Sequence, residues 1–293
     1  MKKLTIKRRN NIEIIINSKK YLLGESKIKY QILRDLKLFF SREKSEYRKE
    51  NHCEVEVLIN EKPVDFKRTR FFYVDDQYSI EEDCKLTSKS LMGKYLEIKY
   101  SQMDYFETIN TLNILLESFQ EELNIDEILK VKFNHFATKQ LLKICKPEVI
   151  EEFQKDEYDM DQEEIILFQL HLIEYIQNHN LDYENTIVYV RIQNTTEKIR
   201  EAINHLNQCI TLIDTEFYNK EILIEEIFLC EKITIDLNDD ETLYYLISQR
   251  LNDIYSLKEV KTMIKKYILK TYLQQNSHLI DDIKSFSTNK SQS

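Results

Sequence analysis

Short apolar runs open the chain and longer helical stripes follow. Leu4–Lys7 and Ile12–Ile16 read as strands. Ser26 begins a helix whose Ile28, Ile32, Leu36, Phe39 and Phe40 recur at helical spacing. Cys53–Ile59 alternates Glu54 and Glu56 against Val55 and Val57, as a half-exposed strand does. A turn at Glu61-Lys62-Pro63 returns to Val64–Phe66, and Phe71–Val74 is a further strand.

The middle of the chain is helical. From Thr108, residues Ile109, Leu112, Leu116, Phe119 and Leu123 mark one stripe of a long amphipathic helix. Asp161 to His179 is apolar over more than one face, which predicts a helix packed on two sides. Pro147 separates short helices. Strands then alternate with helices. Thr186–Ile192 reads as a strand covered on both faces, and Asn194 with Glu197 resembles a capping box opening a helix through His205. Cys209–Ile213 and Ile233–Leu237 are strands separated by Glu221–Ile227. This order predicts an α/β fold with right-handed crossovers and a parallel sheet. The simplest assembly joins that sheet to the N-terminal strands and leaves about 105–180 as a helical insertion. Ser256 and Glu259 form a second capping box before a lysine-rich helix, and the tail beyond Ser285 reads as disordered.

Composition narrows the class. Two glycines and two prolines in 293 residues argue against a loop-rich fold. Five cysteines (Cys53, Cys84, Cys145, Cys209 and Cys230), with no C-x-x-C, suit a reducing compartment and not a disulfide scaffold. No apolar stretch is long enough to span a membrane, and Met1-Lys2-Lys3 is followed by no signal-like run, so a cytoplasmic protein is expected. The net charge of −9 is uneven: residues 1–100 carry +7, 101–253 carry −20 and 254–293 carry +4. A local basic surface, not the total, governs polyanion binding.

The candidate chemistry centres on the Gly24 turn. Its neighbours resemble a strand-loop-helix phosphate site, whose working form is G-x-x-x-x-G-K-[ST]. Here the second glycine, the lysine in register and the magnesium hydroxyl are replaced by Lys29, Tyr30 and Gln31. Asp214, with Glu216 nearby, follows a short apolar strand as a magnesium acid would, although an Asp at the edge of a strand is more often a turn or cap residue. The histidines have no metal spacing. Carboxylates at Glu157, Asp159, Asp161 and Glu164 alternate before a helix and could converge on calcium; favourable charge at a helix start explains them without metal. Lys19, Lys20, Lys27 and Lys29 surround the turn, and Lys27 shares a helix face with Arg34. In a groove or channel these five would contact DNA phosphates without reading sequence.

Several segments resemble the spacer-acquisition protein of type II-A CRISPR loci, in its longer subfamily. They are Tyr21–Glu25, Lys29–Arg34, Ser79–Leu86, Lys89–Glu97, Thr108–Leu115, Lys139–Lys143, Glu157–Asp159 and Ile227–Leu229. The resemblance implies a degenerate P-loop-ATPase-like head domain without ATP, formed by residues 1–104 and 181–255. It further implies a helical leg at 105–180 and a C-terminal helical extension and tail at 256–293. It implies a non-enzymatic homotetrameric ring around double-stranded DNA, preferring ends, with calcium in the leg. The implied partners are the spacer integrase and the type II effector nuclease. Lys27 and Lys29 lie where the family has channel lysines, and Glu157 to Glu164 fall near its calcium site. The competing readings are a divergent P-loop ATPase using Lys27 or Lys29, and a protein-binding scaffold without DNA binding.

Overall fold

The computed structural model describes residues 2–8, 11–41, 55–87, 90–123, 130–147, 157–179, 183–232, 234–251 and 255–273. The expected disordered tail and the first residues of the Cys53–Ile59 strand lie outside these. The fold is mixed α/β, and the chain divides into two compact units. One comprises residues 1–63, 192–195 and 213–293; the other comprises 64–191 and 196–212.

In the first unit, β1 (Lys2–Lys7) and β2 (Asn11–Ile16) form an antiparallel hairpin. The far edge of β1 takes β4 (Glu56–Ile59), which turns at Asn60 and Glu61 into β5 (Lys62–Pro63). Both turn residues have positive φ, 51° and 65°, the twist that a tight hairpin requires. Leu4, Ile6, Ile12, Ile14, Ile16, Val57 and Ile59 fill the buried face of this four-stranded sheet. Alternation is clean in β2, whose Asn11 and Glu13 are exposed, whereas Thr5 of β1 is buried as well; the two strands belong to a sheet of their own.

The strand that feeds the first helix is a different one, β3 (Lys19–Gly24), and not Ile12–Ile16 as the sequence suggested. Tyr21, Leu22 and Leu23 are wholly buried, the signature of a strand covered on both faces. It pairs in parallel with β9 (Ile227–Cys230), from Tyr21 opposite Ile227 to Gly24 opposite Cys230. β10 (Thr234–Asp236) adds antiparallel to β9. In this unit the sheet order is β10-β9-β3, followed by the end of β8 (Ile210–Asp214). Helix α1 (Ser26–Phe40) packs on β1, β4 and β9. The stretch Glu221–Ile227 holds a 3-10 turn, Ile224–Glu226, and then β9, a strand that its four apolar residues were too few to announce.

In the second unit, β6 (Thr69–Val74) and β7 (Asn185–Arg191) run parallel, Thr69 opposite Asn185 through Val74 opposite Val190. Its helices are α2 (Ile80–Asp83), α3 (Leu91–Tyr100), α4 (Met103–Leu123), α5 (Thr138–Ile144), α6 (Gln162–His179) and α7 (Glu197–His205). Helix α6 packs against α3 and α7 and touches β6, so its two-sided apolar pattern is explained within the unit. The cap of α7 is Thr196, whose hydroxyl accepts the Ile199 amide; Asn194 lies two residues too early. Helices α8 (Asp240–Leu251) and α9 (Leu257–Tyr272) return to the first unit, and Ser256 and Glu259 cap α9 reciprocally. Among the described residues no helix is long and apolar enough to cross a membrane.

Candidate functional site

The turn after β3 is a single residue, Glu25, before α1 begins. Gly24 has φ +116°, and a Cβ there would press into the carbonyl of Cys230 on β9. The position therefore requires glycine twice over, for its backbone angle and for the closeness of β9. The Glu25 amide donates to that same carbonyl at 2.5 Å, so this amide is engaged with β9. A phosphate-wrapping loop has no chain from which to form.

The first turn of α1 does deliver a cation. Lys29 Nζ lies 2.7 Å from Asp214 Oδ1, at the end of β8, and donates to the Thr215 carbonyl at 3.0 Å. Lys29 and Asp214 are both buried. The Thr215 amide donates to the Leu22 carbonyl at 3.3 Å, which ties this segment to β3. Its hydroxyl donates to the carbonyls of Gln193 (3.1 Å) and Phe217 (3.2 Å). Nearby in sequence, Thr195 Oγ1 is buried and has no hydrogen-bond partner among the described residues. Burial pushes the Cys230 thiol up to about 12, with Lys29 opposing and Asp214 reinforcing the shift. The sequence named Lys29 and Asp214 separately. What it lacked was the order that brings the end of β8 beside β3.

The five basic residues do not form one cluster. Lys19 and Lys20 begin β3, whereas Lys27 and Lys29 follow its other end. Five residues of strand, at ~3.3 Å each, separate the two ends. Lys20 is 1% exposed, ion-paired with Asp236, and donates to the Glu225 carbonyl at 2.8 Å. Lys19 lies 3.7 Å from Glu226. Lys27 and Arg34 are exposed on α1. Two of the five, Lys20 and Lys29, thus spend their charge inside the protein.

The acids before α6 are also accounted for. Asp161 Oδ1 accepts the Glu164 amide at 2.9 Å, and Glu164 Oε2 accepts the Asp161 amide at 3.0 Å, a reciprocal cap. Glu163 bonds Lys198 at 3.0 Å. Hydrogen bonds from Thr196 and then Lys198 hold its carboxyl below the usual range. Asp159 is exposed in the 3-10 turn Glu157–Asp159; the Glu157 side chain lies outside the described residues. Among the described residues no group of three or more His, Cys, Asp or Glu could hold a metal ion. The calcium expectation is corrected: Asp161 and Glu164 serve as helix caps.

No protein-family model matches this chain, and no curated protein matches it. Two of the solved structures similar to it are the following. One is the crystal structure of Stu0660 of Streptococcus thermophilus, with 16% identity and a TM-score of 0.59, covering 87% of this chain and 82% of that one. It shows the fold alone. The other is cbiO1 from Clostridium perfringens, part of the ABC transporter complex cbiONQ. That match has 12% identity and a TM-score of 0.34, and covers 89% of this chain and 98% of the other. The expectation of a non-enzymatic, calcium-binding DNA ring without ATP is corrected: two of its calcium acids are helix caps, and two of its five DNA-contact cations, Lys20 and Lys29, are paired inside the protein. The exclusions of ATP and of enzymatic activity are withdrawn.

Proposed function

We propose that this chain is a divergent P-loop-like protein that binds a nucleoside triphosphate and a divalent cation at the carboxyl ends of β3 and β8, as an ATPase would. The observation that carries this reading is the Lys29–Asp214 pair at 2.7 Å. Ligands of open α/β sheets sit beyond the carboxyl ends of strands. A cation for phosphate oxygens and a carboxylate for a hard metal are the minimal charges that such a ligand needs. Lys29 would turn from Asp214 and the Thr215 carbonyl toward phosphate, and Asp214 would face the metal. The amides of Ser26 and Lys27, in the first turn of α1, add the positive end of a helix. The one-residue turn cannot encircle the phosphates, so Lys29 and the helix end bear most of the binding. A bound nucleotide would supply the transferable phosphoryl group.

Calorimetric titration with ATP and magnesium, followed by a phosphate-release assay, tests the reading. Wild-type binding is expected to weaken at least tenfold in Lys29→Met and to lose its magnesium dependence in Asp214→Asn. Lys27→Ala should change little. The double variant Lys29→Met/Asp214→Asn, checked by circular dichroism, leaves no unpaired buried charge and controls for folding. Absence of wild-type binding at millimolar nucleotide, or binding indifferent to Lys29, overturns the proposal. A second reading, a protein-binding scaffold, is favoured by the apolar residues that α4 leaves exposed, Met103, Phe106 and Leu115 among them. Loss of self-association or partner capture in Phe106→Ser/Leu115→Ser, with nucleotide binding absent from the wild type, would support it.

A further inference from the structure

Some cations of the second unit have a carboxylate partner. Arg68 pairs with Glu184, Lys85 with Glu82 and Lys198 with Glu163. Among the described residues the side chains of Arg70 and Lys94 make no hydrogen bond or ion pair, and each lies instead on an aromatic ring. The Arg70 guanidinium stands 3.9 Å from the centre of the Tyr183 ring, and the Lys94 ammonium 5.1 Å from that of Phe72. Arg70 and Phe72 alternate on β6 and so share one face of the strand, roughly 7 Å apart. Lys94, reaching the same ring from α3, is therefore a neighbour of Arg70.

The carboxylate whose charge reaches Lys94 is Asp83, and its oxygens are already committed. They accept the Leu91 amide (3.0 Å), the Met92 amide (2.7 Å) and the Tyr78 hydroxyl (2.6 Å), which fixes the start of α3. Burial, and then the charge of Arg70, lower the affinity of Lys94 for its proton, with Asp83 opposing. Two half-buried cations of like sign thus share one face without a carboxylate bonded to either. The ring faces attract each cation without neutralising its charge. A phosphate dianion would supply a charge-assisted hydrogen bond to each cation and remove their mutual repulsion.

We propose that Arg70 and Lys94 form a phosphate-binding site, separate from the Lys29–Asp214 pair and independent of the nucleotide reading. Inorganic pyrophosphate and phenyl phosphate serve as probes, titrated by calorimetry into the full chain carrying Lys29→Met/Asp214→Asn, so that the first site cannot report. Saturable binding is expected, falling at least tenfold in Arg70→Gln and in Lys94→Met and mostly retained in Lys94→Arg. Lys94→Met preserves an unbranched chain over Phe72, and Arg70→Gln decides the matter if Lys94→Met fails to fold. Tighter binding of pyrophosphate assigns the site to free phosphates, and tighter binding of phenyl phosphate to monoesters. No saturable binding of either probe, or binding unchanged in both Arg70→Gln and Lys94→Met, overturns the proposal.

Discussion

Lys20 shows how far a residue's role departs from its type. A lysine beginning a strand reads as surface charge, yet this one is enclosed with Asp236, whose carboxylate also accepts the Ile15 amide (2.6 Å) and the Asn238 amide (2.9 Å). Burial drives the two groups in opposite directions, lowering the lysine and raising the aspartate, while each opposes the shift of the other. Removing one partner leaves a buried charge alone, so Lys20→Met should cost about 3–5 kcal/mol in urea unfolding. Lys20→Met/Asp236→Asn should recover part of that loss. Gly24→Ala places a side chain against the Cys230 carbonyl at positive φ and should cost at least ~2 kcal/mol by the same measurement. Cys230 predicts the pH response. Its folded thiol is raised to about 12 from about 8.5 in the unfolded chain. Over that interval the unfolded state holds fewer protons, so this contribution to stability falls as pH rises. Unfolding midpoints between pH 8 and 11 should decline less steeply for Cys230→Ala than for the wild type.

Helices expose the difference between a pattern and its environment. α6 and α4 both carry apolar stripes, but Leu170 and Ile173 on α6 are buried, whereas Met103 (84%), Phe106 (66%) and Leu115 (60%) on α4 are exposed. Leu170→Ala should therefore cost about 2–5 kcal/mol. Leu115→Ser should stay within about 0.5 kcal/mol, and thermal unfolding of the two variants checks both. Periodicity made both helices legible in the sequence, because burial of one stripe at 3.6-residue spacing is a local property. Ser256 with Glu259 was legible for the same reason, since a reciprocal cap is written within four residues. Asn194 misled because two side chains able to cap, Asn194 and Thr196, compete for one helix start, and only the path of the chain chooses between them.

Across the whole molecule, pairing was the hidden quantity. The sequence held the strands Ile12–Ile16 and Thr186–Ile192 almost to the residue. It could not say that β1 takes β4 on the edge away from β2, or that β3 lies along β9 about two hundred residues later. Alternation signals a wet face without naming the neighbour. The same gap kept Lys29 and Asp214 apart, although each residue was a candidate on its own. Arg70 and Lys94 escaped entirely, because a lysine over a ring leaves no mark in spacing or charge count.

That late pairing of β3 dictates an order of events during synthesis. A ribosome that has reached residue 212 has made every residue of the second unit, 64–191 with 196–212, while the first unit still lacks its residues from 213 onward. The wholly apolar centre of β3, Tyr21-Leu22-Leu23, must wait for β9 through nearly the entire elongation of the chain. Closing so long a loop is slow, and an unpaired apolar strand is the kind of segment on which nascent chains aggregate. This protein is thus expected to lean on holding chaperones in proportion to how slowly its last eighty residues are translated.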